Sequence, residues 1–169
     1  IPCGGIAYGN GFFVGACRYG IHTSLDLVNW SQAVSGRFNE VAFGNGRFVV
    51  VGQDGAVVTS SDGVHWTSHS AGTGDHLTNI AYGDGTFVAV SFQGNIFTSP
   101  DGANWTRRYP GGELTYIGGL EFLRDVTYAD GRFVAVGVFG MIFTSTAGVS
   151  WWLRHAGTRA NHSGVAHGI

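Results

Sequence analysis

Short apolar runs alternate with glycine-containing turns along the whole chain. The run VAF at 41–43 leads into Gly-Asn-Gly at 44–46, and the continuous run FVVV at 48–51 follows. Asn tolerates the left-handed backbone conformation and Gly enters it freely, so Gly-Asn-Gly is typical of a hairpin turn. The continuous β-branched run predicts a strand buried on both faces. No window shows a sustained helical period, and the pattern therefore predicts an all-β chain.

The same pattern occurs four times and begins a fifth time. In each copy a third strand ends in Thr-Ser, and a fourth strand opens at a tryptophan or, in the first copy, after Thr-Ser-Leu-Asp-Leu. Four short strands at a period of about 40 residues are typical of a β-propeller blade. We predict one all-β domain, residues 1–169, built from about four antiparallel four-stranded blades plus the first strand of a fifth. The repeats are 6–40, 41–79, 80–125 and 126–164, with a partial repeat at 165–169.

A recurring turn joins the third and fourth strands. In the second repeat it reads Ser60-x-Asp62-Gly63-x-x-Trp66. Asp can accept hydrogen bonds from its own turn, Gly supplies a positive φ, and Trp buries a large ring. A catalytic group normally occurs once in a chain, whereas this element occurs four times, so we interpret it as structural. The turn and blade residues concerned are Asp26, Trp30, Asp62, Trp66, Asp101, Trp105 and Trp151.

This turn resembles the Asp-box, or BNR-like, repeat of sialidase-like and photosystem-assembly-factor-like propellers, whose form is Ser-x-Asp-x-Gly-x-Thr-Trp. The spacing from Asp62 to Trp66 is one residue shorter than in that family. Leu27 stands at the glycine position of the first copy, and Ala147 stands at the Asp position of the fourth. The resemblance implies a propeller in which the box is a structural turn distant from any catalytic centre.

Composition argues against several classes of function. Charged residues make up only 12% of the chain, and the net charge is −2. A nucleic-acid-binding surface needs a basic excess, so we expect no nucleic-acid partner. No apolar run reaches the roughly 20 residues of a membrane span. The seven histidines share no spacing, and no phosphate-loop or nucleophile-elbow motif occurs, so we assign no metal, cofactor or catalytic residue.

The loops between the second and third strands are where the repeats disagree. In propellers these loops lie on the same face as the connections between blades, and binding residues concentrate on loops over rigid scaffolds. Planar hydrogen-bonding groups and aromatic rings there suit a glycan or a peptide, although unconstrained surface is an equal alternative. The candidate ligand-binding residues are Arg18, Tyr19, Gln53, Asp54, Gln93 and Phe139 from the loops, and Arg107, Arg108 and Tyr109 from the longest connection.

The two cysteines are predicted to form a disulfide. A three-residue loop at 9–11 puts Cys3 directly opposite Cys17, whereas a two-residue loop would oppose Cys3 to Arg18. A disulfide implies an oxidising compartment, so we expect an extracellular or cell-envelope location. Two buried thiols are the alternative.

We expect a non-enzymatic binding or scaffolding module whose ligand is a protein or a glycan. One alternative is a portion of a sialidase- or glycoside-hydrolase-type enzyme, which needs a carboxylate pair, or an arginine cluster that faces a tyrosine. Another alternative is a structural subunit that assembles with its own copies. The segment 165–169 is surplus to four blades, so we expect either self-association through this segment and the first blade, or further blades in a longer ring.

Overall fold

A computed structural model of the chain describes residues 2–108, 123–155, 157 and 160–166. Within these residues it contains four antiparallel sheets of four strands each, and in every sheet the strands are neighbours in chain order. The sheets are the blades of a β-propeller, so the predicted fold class is confirmed. The Val165 segment lies beside the fourth blade, where the Val165 N–H donates to Asp125 Oδ2 at 2.7 Å, and residues 167–169 lie outside the described range.

The strand boundaries follow the repeats. The first blade holds β1 (Cys3–Gly9), β2 (Phe12–Cys17), β3 (Gly20–Ser24) and β4 (Ser31–Val34). The second holds β5 (Phe38–Gly44), β6 (Arg47–Gly52), β7 (Ala56–Ser60) and β8 (Thr67–Ser70). The third holds β9 (Leu77–Gly83), β10 (Thr86–Ser91), β11 (Ile96–Ser99) and β12 (Thr106–Arg108). The fourth holds β13 (Leu123–Ala129), β14 (Arg132–Gly137), β15 (Met141–Ser145) and β16 (Trp152–His155).

The blades pack on one another in chain order. β1 lies against β5, β5 against β9, and β9 against β13. In the described part of the chain β13 does not pack side by side with β1. The four blades therefore form an arc with two free flanks, one on the first blade and one on the fourth.

The hydrophobic core lies between the blades. The second strand of each blade contributes to two interfaces, because successive side chains point to opposite faces of a strand. In β6, Val50 packs with Val14 and Ile21 of the first blade, whereas Val49 packs with Phe87 of the third. The prediction that the second strand is buried on both faces is correct for this strand.

An aromatic ring of each following blade lies on a glycine of the blade before it. The Tyr82 ring covers Gly44 so closely that a Cβ at residue 44 would overlap the ring. The corresponding pairs are Phe43 on Gly9 and Tyr128 on Gly83. Each glycine is therefore required by the close approach of two blades.

The first hairpin differs from the one expected. It turns through Asn10-Gly11 alone, so the predicted three-residue loop was wrong. A bulge near the start of β1 adds one residue to that strand and shifts its register by one. The shift places Cys3 opposite Cys17, and the two form a disulfide. The first strands of the other three blades carry the same register shift.

The blade tryptophans are buried to different degrees. The fourth strands begin one residue after Trp30, Trp66, Trp105 and Trp151, not at these residues. Trp151 is buried at 1% exposure, whereas Trp66 and Trp105 are half-buried against the interface clusters. We had expected Trp66 and Trp105 to be largely buried, and the open outer edge of the blades explains the difference.

Replacing Gly44 by alanine should destabilise the protein. The new methyl group would overlap the Tyr82 ring and force two blades apart, so we expect a loss of about 1–3 kcal/mol in the free energy of unfolding. Urea denaturation measures this loss. The matched control is Gly74→Ala, because a Cβ at residue 74 would meet no atom within 4 Å. Equal stability of the two variants would contradict the packing described here.

Candidate functional site

The box turn is a closed hydrogen-bond network. In the second copy, Asp62 Oδ1 accepts the hydroxyl of Ser60 at 3.1 Å and the backbone N–H groups of Val64 and His65 at 2.9 and 2.8 Å. Asp62 Oδ2 lies 2.7 Å from His65 Nδ1. Asp26 and Asp101 make the equivalent contacts, with an asparagine side chain in place of the histidine. These carboxylates are occupied by their own turns, which fits the structural interpretation.

The hydrogen bonds also set the charge state of these carboxyl groups. The backbone N–H of Asn29 and the Asn29 side chain hold the pKa of Asp26 well below its usual range. The backbone N–H of Asn104 does the same for the pKa of Asp101, and the His65 side chain is the largest cause for the pKa of Asp62. All three groups favour the charged form because hydrogen-bond donors surround it.

The fourth copy of the turn lacks the carboxylate. Ala147 replaces Asp, and the buried Ser145 hydroxyl has no hydrogen-bond partner among the described residues. The turn keeps its shape, because Gly148 has φ 73° and Trp151 Nε1 donates to the Gly148 carbonyl at 2.7 Å. Tryptophan and glycine therefore suffice for the conformation, and the carboxylate adds hydrogen bonds to it.

A cavity of about 530 Å³ opens over the first three blades. The loops between second and third strands meet the connections between blades here, as predicted: the Gln53 N–H donates to the Arg37 carbonyl at 3.3 Å, and the Phe92 N–H donates to the His76 carbonyl at 2.8 Å. The residues that line the cavity are Pro2, Cys3, Gly4, Arg18, Arg37, Phe38, Asn39, Gln53, His76 and Thr78.

Two exposed arginines give the cavity its charge. Arg18 and Arg37 both line it, and neither has a carboxylate within ion-pair distance among the described residues. The guanidinium of Arg18 lies 5.8 Å from the centre of the Tyr19 ring. The described lining contains no Asp or Glu, so the local charge is positive in a chain whose net charge is negative.

Neutral hydrogen-bonding groups complete the lining. The Asn39 side chain donates to the Leu77 carbonyl at 2.6 Å and lies 2.9 Å from His76 Nε2. The backbone N–H of His76 donates to Gln93 Oε1 at 3.0 Å. The second and third blades thus hold His76 in a fixed position at the edge of the cavity.

The structure brings together only some of the candidate ligand-binding residues. Arg18 and Gln53 line the cavity, Tyr19 lies beside Arg18, and Gln93 holds His76. Asp54 lies with Gln53 in a neighbouring cavity of about 350 Å³.

Other candidates lie elsewhere. Phe139 is exposed on the fourth blade. Arg107 donates to Asn95 Oδ1, and Arg108 donates to Thr98 Oγ1 at 2.8 Å. Tyr109 lies outside the described residues.

The sequence analysis missed four lining residues. Arg37 and His76 each directly precede the first strand of a blade, and Asn39 and Thr78 each follow that strand's first residue. Their shared repeat positions were a signal that could have identified them. In the described part of the chain, no group of three or more His, Cys, Asp or Glu residues could hold a metal ion, and no helix is long and apolar enough to cross a membrane.

Introducing the missing carboxylate should stabilise the fourth turn. We expect Ala147→Asp to raise the thermal unfolding midpoint by about 2–4 °C, because the carboxylate would accept the Ser145 hydroxyl and two backbone N–H groups. Differential scanning calorimetry measures the shift. Thr146→Asp is the control, since it adds the same charge at the adjacent exposed residue. An equal rise in both variants would mean that charge alone is responsible.

The three box carboxylates should make stability depend on acid pH. Their folded-state pKa values are lowered, so their contribution is present above the unfolded pKa of about 4 and is lost as pH falls below it. Asp62→Asn should therefore reduce the loss of stability between about pH 4 and pH 2 in urea titrations. Asp84→Asn, whose carboxylate has no described hydrogen bond, should leave the acid profile unchanged. Parallel profiles for wild type and Asp62→Asn would contradict this assignment.

Comparison with known proteins identifies the architecture. No protein-family model matches the sequence, and no curated protein matches it either. The chain is similar to the structure of YCF48 from Cyanidioschyzon merolae, with 18% identity and a TM-score of 0.70 over 99% of this chain and 61% of that one. It is similar to an ancestral GH74 enzyme, with 17% identity and a TM-score of 0.68 over 89% of this chain and 24% of that one.

A third similar structure is YCF48 bound to a D1 peptide, with 20% identity and a TM-score of 0.59 over 87% of this chain and 50% of that one. This chain thus spans about three fifths or less of the length of these structures. Identities of this size establish shared architecture, and the chain is built like part of these β-propellers.

Proposed function

We propose that the protein is a non-enzymatic binding module that takes a carboxylate-bearing peptide segment of a partner protein in the cavity over the first three blades. The observation that carries this proposal is the pair Arg18 and Arg37, which line one cavity without a described carboxylate partner. Guanidinium groups bind carboxylates through two parallel hydrogen bonds, and such charge-assisted bonds are stronger than neutral ones.

The rest of the lining suits a peptide. Gln53, Asn39 and Thr78 offer neutral donors and acceptors of the kind that pair with backbone amides. The exposed Tyr19 ring beside Arg18 offers an apolar surface for a side chain of the partner. One of the similar structures is a propeller bound to a peptide, which supports a protein partner for this architecture.

The enzymatic alternative has less support. A carboxylate pair is the usual requirement of glycoside hydrolysis, and the described cavity lining has none. Burial raises the pKa of Glu40, and Asp125 adds to this, so the two carboxyl groups are within electrostatic reach. Glu40 Oε1, however, accepts the N–H of Val41, and Asp125 accepts the N–H groups of Val126 and Val165. Both groups are held by backbone and lie outside the cavity lining.

A glycan remains the second ligand class, because Arg18 and Tyr19 together offer hydrogen bonds and a stacking surface. The Cys3–Cys17 disulfide supports an extracellular or cell-envelope location, since disulfides persist in oxidising compartments. The two free flanks of the arc support association with further blades or with other copies of the chain.

Removing both cavity arginines should abolish the preference for acidic peptides. The probes are short fluorescent peptides rich in Asp and Glu, each paired with an analogue that carries Asn and Gln instead. We expect the acidic peptides to bind more tightly, and Arg18→Gln/Arg37→Gln to raise their Kd by about tenfold or more in fluorescence anisotropy.

Arg132→Gln/Arg154→Gln is the matched control, since it removes the same charge from the fourth blade. Its Kd should equal that of the wild type. Equal binding of acidic and neutral peptides, or an equal loss in the control, would contradict the proposal. Binding of a glycan array that depends on Arg18 and Arg37, with no peptide binding, would favour the glycan class.

A further inference from the structure

The free flank of the first blade is an uncovered blade interface. It consists of Ile6, Tyr8, Phe13, Leu27 and Trp30, and we call this set the first-blade flank. The equivalent residues of the second blade, among them Val41, Phe43 and Trp66, pack into the cluster between the first two blades. Ile6 is 58% exposed, whereas its counterparts Val41, Ile80 and Val126 are at most 6% exposed.

The exposed apolar side chains are concentrated in this blade. Of the eleven large hydrophobic residues that are exposed in the described part of the chain, six belong to the first blade. They are Ile6, Tyr8, Tyr19, Leu25, Leu27 and Val28. The Tyr8 and Phe13 rings lie 4.5 Å apart and form the centre of the flank. Contiguous exposed apolar surface of this kind marks an interaction site.

The fourth-blade flank of another copy does not fit this surface in the geometry of the three internal interfaces. Each internal interface has a glycine under the aromatic ring of the next blade, but the fourth blade has Ala129 at that position. A Cβ there would overlap a Tyr8 ring that packed as Tyr82 and Tyr128 do. Head-to-tail stacking is therefore blocked on the side of the fourth blade.

The same contact is blocked on the side of the first blade. The box glycines Gly63, Gly102 and Gly148 face the preceding blade, where an added Cβ would lie 2.8, 2.5 and 3.1 Å from its nearest side-chain atom. The first blade has Leu27 at this position, with a positive φ of 63° and 51% exposure. A whole leucine side chain would project into a blade stacked in the same way.

A second first-blade flank avoids both obstacles. Contact between two identical patches about a two-fold axis uses neither Ala129 nor the surface around it, and such isologous dimers are the commonest symmetric assemblies. The five flank residues carry no charge, so two copies would meet without like-charge repulsion. Burial of the exposed Ile6, Tyr8 and Leu27 side chains would supply the driving force.

We propose that two copies of the chain form a two-fold dimer through the first-blade flank. The dimer specifies the surface and symmetry of the self-association put forward under the proposed function. Because a two-fold contact uses the same patch on both copies, the assembly ends at two. The flank residues do not line the arginine cavity, so each dimer presents two cavities and binds a partner with repeated acidic segments more tightly than one chain does.

The mass of the assembly and its sensitivity to the flank test the proposal. Sedimentation equilibrium of the full chain should give twice the chain mass of 17.9 kDa, without larger species as concentration rises. Tyr8→Glu should raise the dimer dissociation constant by about tenfold or more, because it places a charge in the centre of the contact. Val64→Glu is the control, since Val64 is equally exposed on the second blade at 57%. Its dissociation constant should be unchanged.

Cross-linking tests the symmetry. No free cysteine occurs in the described chain, so a bismaleimide reacts only with an introduced thiol. Tyr8→Cys and Leu27→Cys should cross-link when used singly or when mixed with each other, and neither should cross-link to Arg132→Cys on the fourth blade. A monomer at all concentrations, growth beyond two copies, or cross-links to Arg132→Cys would overturn the proposal.

Peptide binding separates this proposal from the proposed function. Folded Tyr8→Glu monomers, verified by circular dichroism, should bind a single acidic peptide with the wild-type Kd per cavity. Loss of peptide binding in Arg18→Gln/Arg37→Gln should leave the dimer intact. A dimer that fails to bind acidic peptide would therefore contradict the ligand assignment alone.

Discussion

Packing between successive blades is the interaction on which the rest of the structure depends. No blade has a core of its own, since the side chains of each second strand divide between two interfaces, as Val49 and Val50 do in β6. The aromatic ring on the glycine of the preceding blade sets the distance at which two sheets meet. Every loop position, including those around the cavity, follows from that distance.

Turn chemistry decides which charged groups are available for binding. Asp26, Asp62 and Asp101 are surrounded by donors from their own turns and serve the conformation of the chain. Arg107 and Arg108 are likewise hydrogen-bonded to their own blade. Arg18 and Arg37 have no such described ion pair, and the fold places them in one cavity. The scaffold thus uses its acids for structure and leaves two of its bases for recognition.

The free flanks show how a repeat protein limits its own assembly. Ala129 and Leu27 stand where the internal copies need glycine, and both would obstruct the same interface between a fourth blade and a first blade. Natural β-proteins commonly protect their edges against indefinite stacking. Two substitutions at complementary positions of one missing contact have this effect, because each adds a side chain where the internal interfaces have no room for a Cβ.

The repeats, the strands, the hairpin turns and the box were predictable from the sequence, because each depends on residue types within a few positions. The Cys3–Cys17 pair was also predictable, but the register that joins it comes from a bulge that the loop argument did not include. The meeting of Arg18 with Arg37 and His76 was not, because these residues come from three blades whose placement depends on packing. Tyr8 and Tyr82 show the limit most clearly. Their windows, IAYGNG and IAYGDG, are nearly identical, yet Tyr8 is 60% exposed and Tyr82 packs on Gly44. Local sequence specifies the strand, whereas burial depends on whether another blade precedes it.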